Sequence, residues 1–299
     1  MEKDKERLRI IEKIKEYERE GKFDIDVEDD PPTIPLKPNE VDFLRKKLSS
    51  KIKARFANKQ AIKFFNKLIK EEKVIIKETK GIENLQNLKD TGFIITCNHF
   101  NPFDTFTVEK TFIENKTNKK QKLYKVIREG NYTNFPGFYG LLMRNCYTLP
   151  LSENKHVLAE FLNATKAILK NKDAILIFPE ESMWWNYRKP KPLKSGAFHI
   201  ATQNSVPILP IFITMKDSKN IADDGFPIQE YIVNIKKPIY PDKTLTKKEN
   251  IEKMKKENFN SWKETYESFY KKKLTYTTKN KEMIKWKKKK QKSFTMKMN

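Results

Sequence analysis

The sequence predicts an α/β fold, a mixed central sheet flanked by helices, with an N-terminal basic helical segment in front of it. Three observations carry that expectation. From residue 73 onward, short apolar runs alternate with stretches of helical periodicity. The runs hold Ile, Val, Leu and Phe over strand-like lengths, too short for ordinary helices. The first seventy residues lack such runs and place isolated apolar residues among lysines and arginines instead.

Residues 1–20 alternate charges and set Leu8, Ile11 and Ile14 on one stripe, which predicts a charged helix. Residues 24–40 are acidic and rich in proline, from Asp24 through Pro31-Pro32 to Pro38. Proline there disfavours both helix and sheet, so a linker or extended arm is expected. Residues 40–71 read as one or two basic helices, because Val41, Leu44, Leu48 and Ile52, and then Ile62, Phe65 and Ile69, keep helical spacing. Strands are expected at 73–77, 92–97, 122–128, 146–150, 174–178, 207–213 and 230–236. Helices are expected between them at 104–115, 135–144, 154–171 and 194–204. The third of these sets Leu158, Leu162, Thr165 and Leu169 on one face. A helix over 246–272 and a lysine-rich tail follow, and no internal repeat is visible. The chain therefore divides into 1–72 (charged helix, proline-rich linker, basic helices), 73–245 (α/β domain) and 246–299 (C-terminal helix and tail).

Charge narrows the partners. There are 62 Lys and Arg against 39 Asp and Glu, a net charge of +23. Such a chain attracts polyanions: nucleic acid, an anionic membrane surface or phosphorylated substrates. Cys97 and Cys146 are the only cysteines, too few for a disulfide framework, which fits a reduced, cytoplasmic setting. Met1 to Glu20 has no apolar core of the signal-peptide kind, and no apolar stretch approaches the ~20 residues that span a bilayer. Any membrane association is expected to be peripheral.

Four stretches bear chemistry. In the first, the apolar run Phe93-Ile94-Ile95-Thr96-Cys97 leads through Asn98 to His99, and Asp104 follows five positions later across an Asn101-Pro102 turn. Histidine accepts and returns a proton near neutral pH, and a carboxylate on its second ring nitrogen fixes the tautomer. Taken alone, the pair also fits a helix cap beside a satisfied polar residue. The second stretch, Ala174 to Ser182, runs a buried strand into Pro179, Glu180 and Glu181. Strand ends of open α/β sheets are where ligands bind, although solvated acids at a strand exit look the same. The third, Pro192 to Ala201, sets Lys194 just before the small-residue helix start at Gly196, a place for an anion. The fourth, Val206-Pro207-Ile208-Leu209-Pro210-Ile211, is a proline-bounded strand with little meaning by itself.

In this order and spacing, the four resemble the blocks of the glycerolipid (lysophosphatidic acid, or 1-acylglycerol-3-phosphate) acyltransferase family. Asn98, His99 and Asp104 match its first block. Phe178, Pro179, Glu180 and, loosely, Ser182 match its third. Lys194, Gly196 and Ala197 match the Lys-x-Gly-Ala segment, and Val206, Pro207, Pro210 and Ile211 match the fourth. The resemblance covers roughly residues 73–240. It implies an acyltransferase of phospholipid biosynthesis that moves a fatty acyl group from an acyl thioester to the free hydroxyl of a lysophospholipid, most simply lysophosphatidic acid. His99 is then the base and Asp104 its orienting partner, while Asn98, Glu180, Ser182, Lys194 and Gly196 bind substrate. The implied partners are a coenzyme A or acyl carrier protein thioester as co-substrate, with no other cofactor and no metal, a lysophospholipid acceptor, and an anionic membrane at the inner face of the cell membrane. Two departures stand out: Glu181 and Met183 replace the family's glycine and arginine in the third block, and the second block loses its arginine near Ser152. Arg144 and Arg188 are candidates to supply that charge. Trp184, Trp185 and Tyr187 line an entrance or pack in the core, and His156 and His199 are expected to be bystanders.

The basic segments 40–71 and 281–294 interleave lysines with Phe56, Phe64, Phe65, Trp286 and Phe294, as interfacial segments do. A basic lipid- or nucleic-acid-binding protein without catalysis is the rival reading, and an esterase using water is another. No zinc-finger spacing, RNA-binding aromatic motif or helix-turn-helix pair supports binding to nucleic acid.

Overall fold

The computed structural model describes residues 3–278; the 281–294 segment lies outside the described residues. The elements run α1 (Lys5–Glu20), α2 (Leu48–Lys70), β1 (Ile75–Lys80), α3 (Ile82–Gln86), β2 (Phe93–Cys97), α4 (Asp104–Asn115), β3 (Leu123–Arg128) and α5 (Glu129–Thr133). Then come α6 (Gly137–Asn145), β4 (Thr148–Leu151), α7 (Lys155–Lys170), β5 (Ala174–Ile177), α8 (Gly196–Gln203), β6 (Ile208–Ile221), β7 (Pro227–Ile235) and α9 (Lys247–Tyr270). All seven expected strands form. The two five-residue helices α3 and α5 escape a reading by periodicity because neither is long enough to show a period.

The strands make one sheet in the order β1-β7-β6-β2-β5-β3-β4. Every pairing is parallel except β6 with β7. Alternate residues of a strand face opposite sides, and both sides of β2 are covered. Phe93, Ile95 and Cys97 enter one core with Phe65, Val108 and Phe112. Ile94 enters the other with Phe161, Ile168 and Phe198. The parallel strands β2, β5 and β3 therefore end on one edge, and the chain leaves that edge toward His99, Glu180 and Glu129.

The N-terminal part differs from expectation in register. Residues 41–47 are not helical; Val41 and Phe43 are buried there in an irregular segment. Leu48 at 73% and Ile52 at 58% are exposed, and the face of α2 turned inward is Ala54, Ala57, Ala61, Phe65 and Leu68. Small residues allow α2 to approach α6 closely, where Ala57 and Ala61 meet Leu142 and Cys146. On α1 the inward residues are Ile10 and Ile14, with Leu8 outside. On α7 they are Val157, Phe161, Ala164, Thr165, Ile168 and Leu169, with Leu162 exposed. Apolar residues on both flanks of the stripe made the facing direction ambiguous in each case.

The acidic, proline-rich stretch is an extended arm fastened to the body. Val27 and Leu36 are buried. The Leu36 N–H donates to Glu129 Oε1 at 2.6 Å, and Arg128 pairs with Asp26 and Asp30. At the far end α9 lays Trp262 and Tyr266 against Phe212, and Thr96 Oγ1 donates to Asn258 Oδ1 at 2.6 Å. The helix thereby grips the central strand β2 one turn of chain before the histidine.

Candidate active site

His99 leaves the end of β2, and Asp104 opens α4. Between them Asn101 folds the chain: its Oδ1 accepts the Phe103 N–H at 3.0 Å, and its carbonyl accepts the Asp104 N–H at 3.1 Å. This side-chain-assisted turn is what Asn before Pro favours. It brings Asp104 Oδ2 to 2.7 Å from His99 Nδ1. The same oxygen accepts the N–H groups of Phe100 at 3.1 Å and Asn101 at 3.4 Å. The carboxylate is fully buried at the positive end of α4, while the His99 side chain keeps 22% of its surface open. With Nδ1 donating to a carboxylate, Nε2 is left as the basic nitrogen. The Phe178 ring stacks on the imidazole at 4.2 Å between centroids and holds its plane.

The backbone of His99 is fixed from both sides. Its N–H donates to Glu180 Oε2 at 3.0 Å, and its carbonyl accepts the Trp184 N–H at 3.3 Å. The Phe100 carbonyl accepts the Asn186 N–H at 2.8 Å. Glu180 turns its other oxygen to the Lys191 N–H at 2.7 Å. Burial pushes the Glu180 carboxyl above its usual range, opposed by the positive charge of Lys191.

Several residues expected to hold substrate are instead occupied by the protein. Asn98 donates from Nδ2 to the Ile213 carbonyl at 3.1 Å and accepts the Ile213 N–H at 2.8 Å, so its amide extends the β2–β6 ladder. Glu180 is buried with both oxygens engaged by main-chain N–H groups. Ser182 is buried; its hydroxyl donates to the Phe23 carbonyl at 2.7 Å and accepts from Lys191 Nζ at 2.6 Å. A short polar side chain next to a strand end is equally suited to a ligand or to neighbouring backbone, and here backbone takes it. Lys194 stays at the surface, paired with Asp24 at 2.6 Å. Gly196 opens α8, and an added Cβ there would meet nothing within 4 Å.

The two substitute arginines are spent elsewhere. Arg144 donates to the carbonyls of Tyr132 and Phe135, and Arg188 pairs with Asp217 at 2.7 Å. Ser152 gives its hydroxyl to Glu129 Oε1 at 2.6 Å. Sequence reasoning passed over Arg128, the last residue of β3. It ends the strand that pairs with β5 through Lys125↔Leu176, and the chain runs from β5 on to Glu180. Its signal was its place at the carboxyl end of a strand next to β5. Trp184 and Trp185 are core residues, packed with Ile10, Ile14 and Val27, and Trp184 Nε1 donates to the Ile25 carbonyl at 2.8 Å. His156 and His199 are exposed on helices.

Residues 78–214 match the Acyltransferase family model. This part of the chain is similar to the acyltransferase family. The chain is 27% identical over 130 residues to the 1-acyl-sn-glycerol-3-phosphate acyltransferase of Saccharomyces cerevisiae, covering 43% of this chain and 41% of that protein. It is 29% identical over 137 residues to an uncharacterized acyltransferase of Schizosaccharomyces pombe, covering 44% and 46%. The chain thus spans less than half the length of these curated relatives. The crystal structure of the 1-acyl-sn-glycerophosphate (LPA) acyltransferase, PlsC, from Thermotoga maritima superposes with a TM-score of 0.41 at 19% identity, over 71% of this chain and 79% of that one. Within the family-matching residues, the position of the resembled third-block glycine adopts φ 63° in this chain, although the residue is Glu181. A left-handed backbone is the conformation for which glycine is suited, so Glu181 occupies a position whose backbone favours glycine.

Proposed function

We propose that the protein transfers a fatty acyl group from an acyl thioester to the free hydroxyl of a lysophospholipid, with 1-acyl-sn-glycerol-3-phosphate as the acceptor. The observation that carries this reading is the His99–Asp104 pair, its free Nε2 at the open carboxyl edge of the sheet, inside an acyltransferase-family domain. The name of the yeast relative supplies the acceptor.

A hydroxyl is a weak nucleophile at neutral pH and needs a base at hydrogen-bonding distance. His99 Nε2 takes the acceptor's proton as its oxygen bonds to the thioester carbon. Asp104 stabilises the imidazolium that forms. As the C–S bond breaks, the imidazolium returns the proton to the departing sulfur. No acyl-enzyme is required. Cys97 and Cys146 are buried, and burial raises both thiols, Cys146 to about 12, so neither competes as nucleophile. The donor's carrier is coenzyme A or acyl carrier protein. At the acceptor side the anionic head group is assigned to Arg128, now paired with Asp26 and Asp30, and to Lys194, now paired with Asp24.

The fatty chains come from a membrane. Among the described residues no helix is long and apolar enough to cross one. The outer face of α2 shows Leu48, Ile52, Phe56 and Ile62 among lysines, and α6 adds Phe138 and Tyr139 beside it. Such a face lies in the interface of an anionic bilayer, each basic residue adding about 1 kcal/mol. On this reading the protein sits peripherally on the inner face of the cell membrane, in the cytoplasm, and the apolar and basic face of α2 supports it.

The test is product identification by mass spectrometry, with purified protein, acyl-coenzyme A or acyl carrier protein, and a panel of lysophospholipids. Phosphatidic acid from lysophosphatidic acid is the expected product. Free fatty acid with every acceptor would make the protein an esterase. Retention on DNA with no product would favour the binding-protein reading.

A further inference from the structure

Lys191 lies in none of the family-matching blocks and is fully buried. Its ammonium donates to the Ser182 carbonyl and hydroxyl, both at 2.6 Å, and sits 4.8 Å from the centre of the Trp184 ring. Its main-chain N–H holds Glu180 Oε1. A closed circuit results. His99 N–H reaches Glu180, Glu180 reaches Lys191, Lys191 reaches Ser182 and Trp184, and the Trp184 N–H returns to the His99 carbonyl. The loop inside this circuit carries two left-handed non-glycine residues, Glu181 and Asn186, so it does not hold its shape by backbone preference.

We infer that Lys191 is a positioning residue for acyl transfer, clamping the 180–186 loop from inside so that the His99 main chain stays gripped at both its N–H and its carbonyl. The inference rests on the acyl-transfer reading. Lys191 touches no substrate, because it is sealed from solvent.

A purely structural lysine is a poor explanation. Burial lowers Lys191 from its ordinary 10.5 to about 8 and raises Glu180, so both charged forms are disfavoured by their surroundings. The unfolded chain binds more protons than the folded one between pH about 8 and 10.5 on account of Lys191, so stability rises with pH across that window and the penalty is complete below it. Glu180 titrates high when folded, so its penalty is complete above its raised value. At neutral pH the buried Lys191 charge therefore burdens the fold, and an apolar replacement of a buried charge is commonly tolerated or stabilising. The groups facing Lys191 are Glu180 from the same loop, Asp24 and Asp26 from the arm, and Arg128 from β3. Tyr276 from the C-terminal segment binds the neighbouring Pro190 carbonyl.

The experiment compares wild type, Lys191→Met and Ser182→Ala by steady-state kinetics from pH 6 to 10, with thermal melts alongside, using acyl-coenzyme A and lysophosphatidic acid. Lys191→Met is expected to keep the fold and both KM values while kcat drops about 10²-fold, the loss that a small displacement of a catalytic group produces. Wild-type kcat is expected to decline above pH about 8, and that limb should be missing in Lys191→Met. Ser182→Ala removes one acceptor of the ammonium, so the limb should move to lower pH. This second variant carries the test if Lys191→Met does not fold. Normal kcat with an unchanged alkaline limb in Lys191→Met, or an unmoved limb in Ser182→Ala, overturns the inference. Absence of transfer by the wild-type protein overturns the proposed function itself.

Discussion

The turn from His99 to Asp104 and the loop from Glu180 to Lys191 meet at one histidine but are built in opposite ways. The turn is local. Asn101 and Asp104 bind backbone within five residues of themselves, and the helix start holds the carboxylate. The loop depends on distant chain. Ser182 binds Phe23, Trp184 binds Ile25, and Lys194 binds Asp24, all from an arm more than 150 residues away. That arm lies outside residues 78–214, the part that matches the family. The His99–Asp104 contact is thus made by residues close in sequence, whereas the loop that grips the His99 main chain is anchored by a segment far away in the chain.

Substitutions separate the two. In the turn, His99→Ala should lower kcat by about 10³-fold, the scale of a lost general base, with an unchanged melting curve; Asp104→Asn should follow at about 10²-fold or more. Near-normal turnover in both would dissolve the distinction between motif and support. At the arm, Arg128→Ala should raise the KM for lysophosphatidic acid about tenfold, as expected for one charge-assisted hydrogen bond. Its kcat should stay within about twofold, with stability altered by no more than about 1 kcal/mol, because the ion pairs to Asp26 and Asp30 are exposed. A fall in kcat with unchanged KM would move Arg128 into the support. The smallest effect belongs to the loop's own backbone. Glu181→Gly should raise stability by about 0.5–1 kcal/mol in urea unfolding, since glycine accepts φ 63° without strain. A loss of stability would mean that Glu181 is held there by contacts that outweigh its backbone.

The same contrast explains what the sequence could disclose. His99 and Asp104 were legible because both ends of their interaction lie within seven residues of a recognisable strand end. Strands β2 and β5 were legible because each is a short apolar run buried on both faces. Lys191 was not, because one lysine among so many carries no mark until the fold closes over it. Asn98, Glu180 and Ser182 stand out in the sequence, and in the fold their side chains bind the backbone of β6, His99 and Phe23. A sequence shows a polar residue at a strand end without showing which partner reaches it first. The inward face of α2 was not legible for a related reason: Leu48 and Ile52 carry the visible helical spacing, while the packing is made by Ala54, Ala57 and Ala61. Alanine gives too little hydrophobic contrast to reveal a close helix contact.

The central claim is that the acceptor's hydroxyl, deprotonated by His99, attacks the thioester directly. Initial rates over a grid of donor and acceptor concentrations test it. The account predicts intersecting double-reciprocal lines, with both substrates required before coenzyme A is released. Parallel lines, with one equivalent of coenzyme A released from donor alone and an acylated protein in the intact mass, would contradict it.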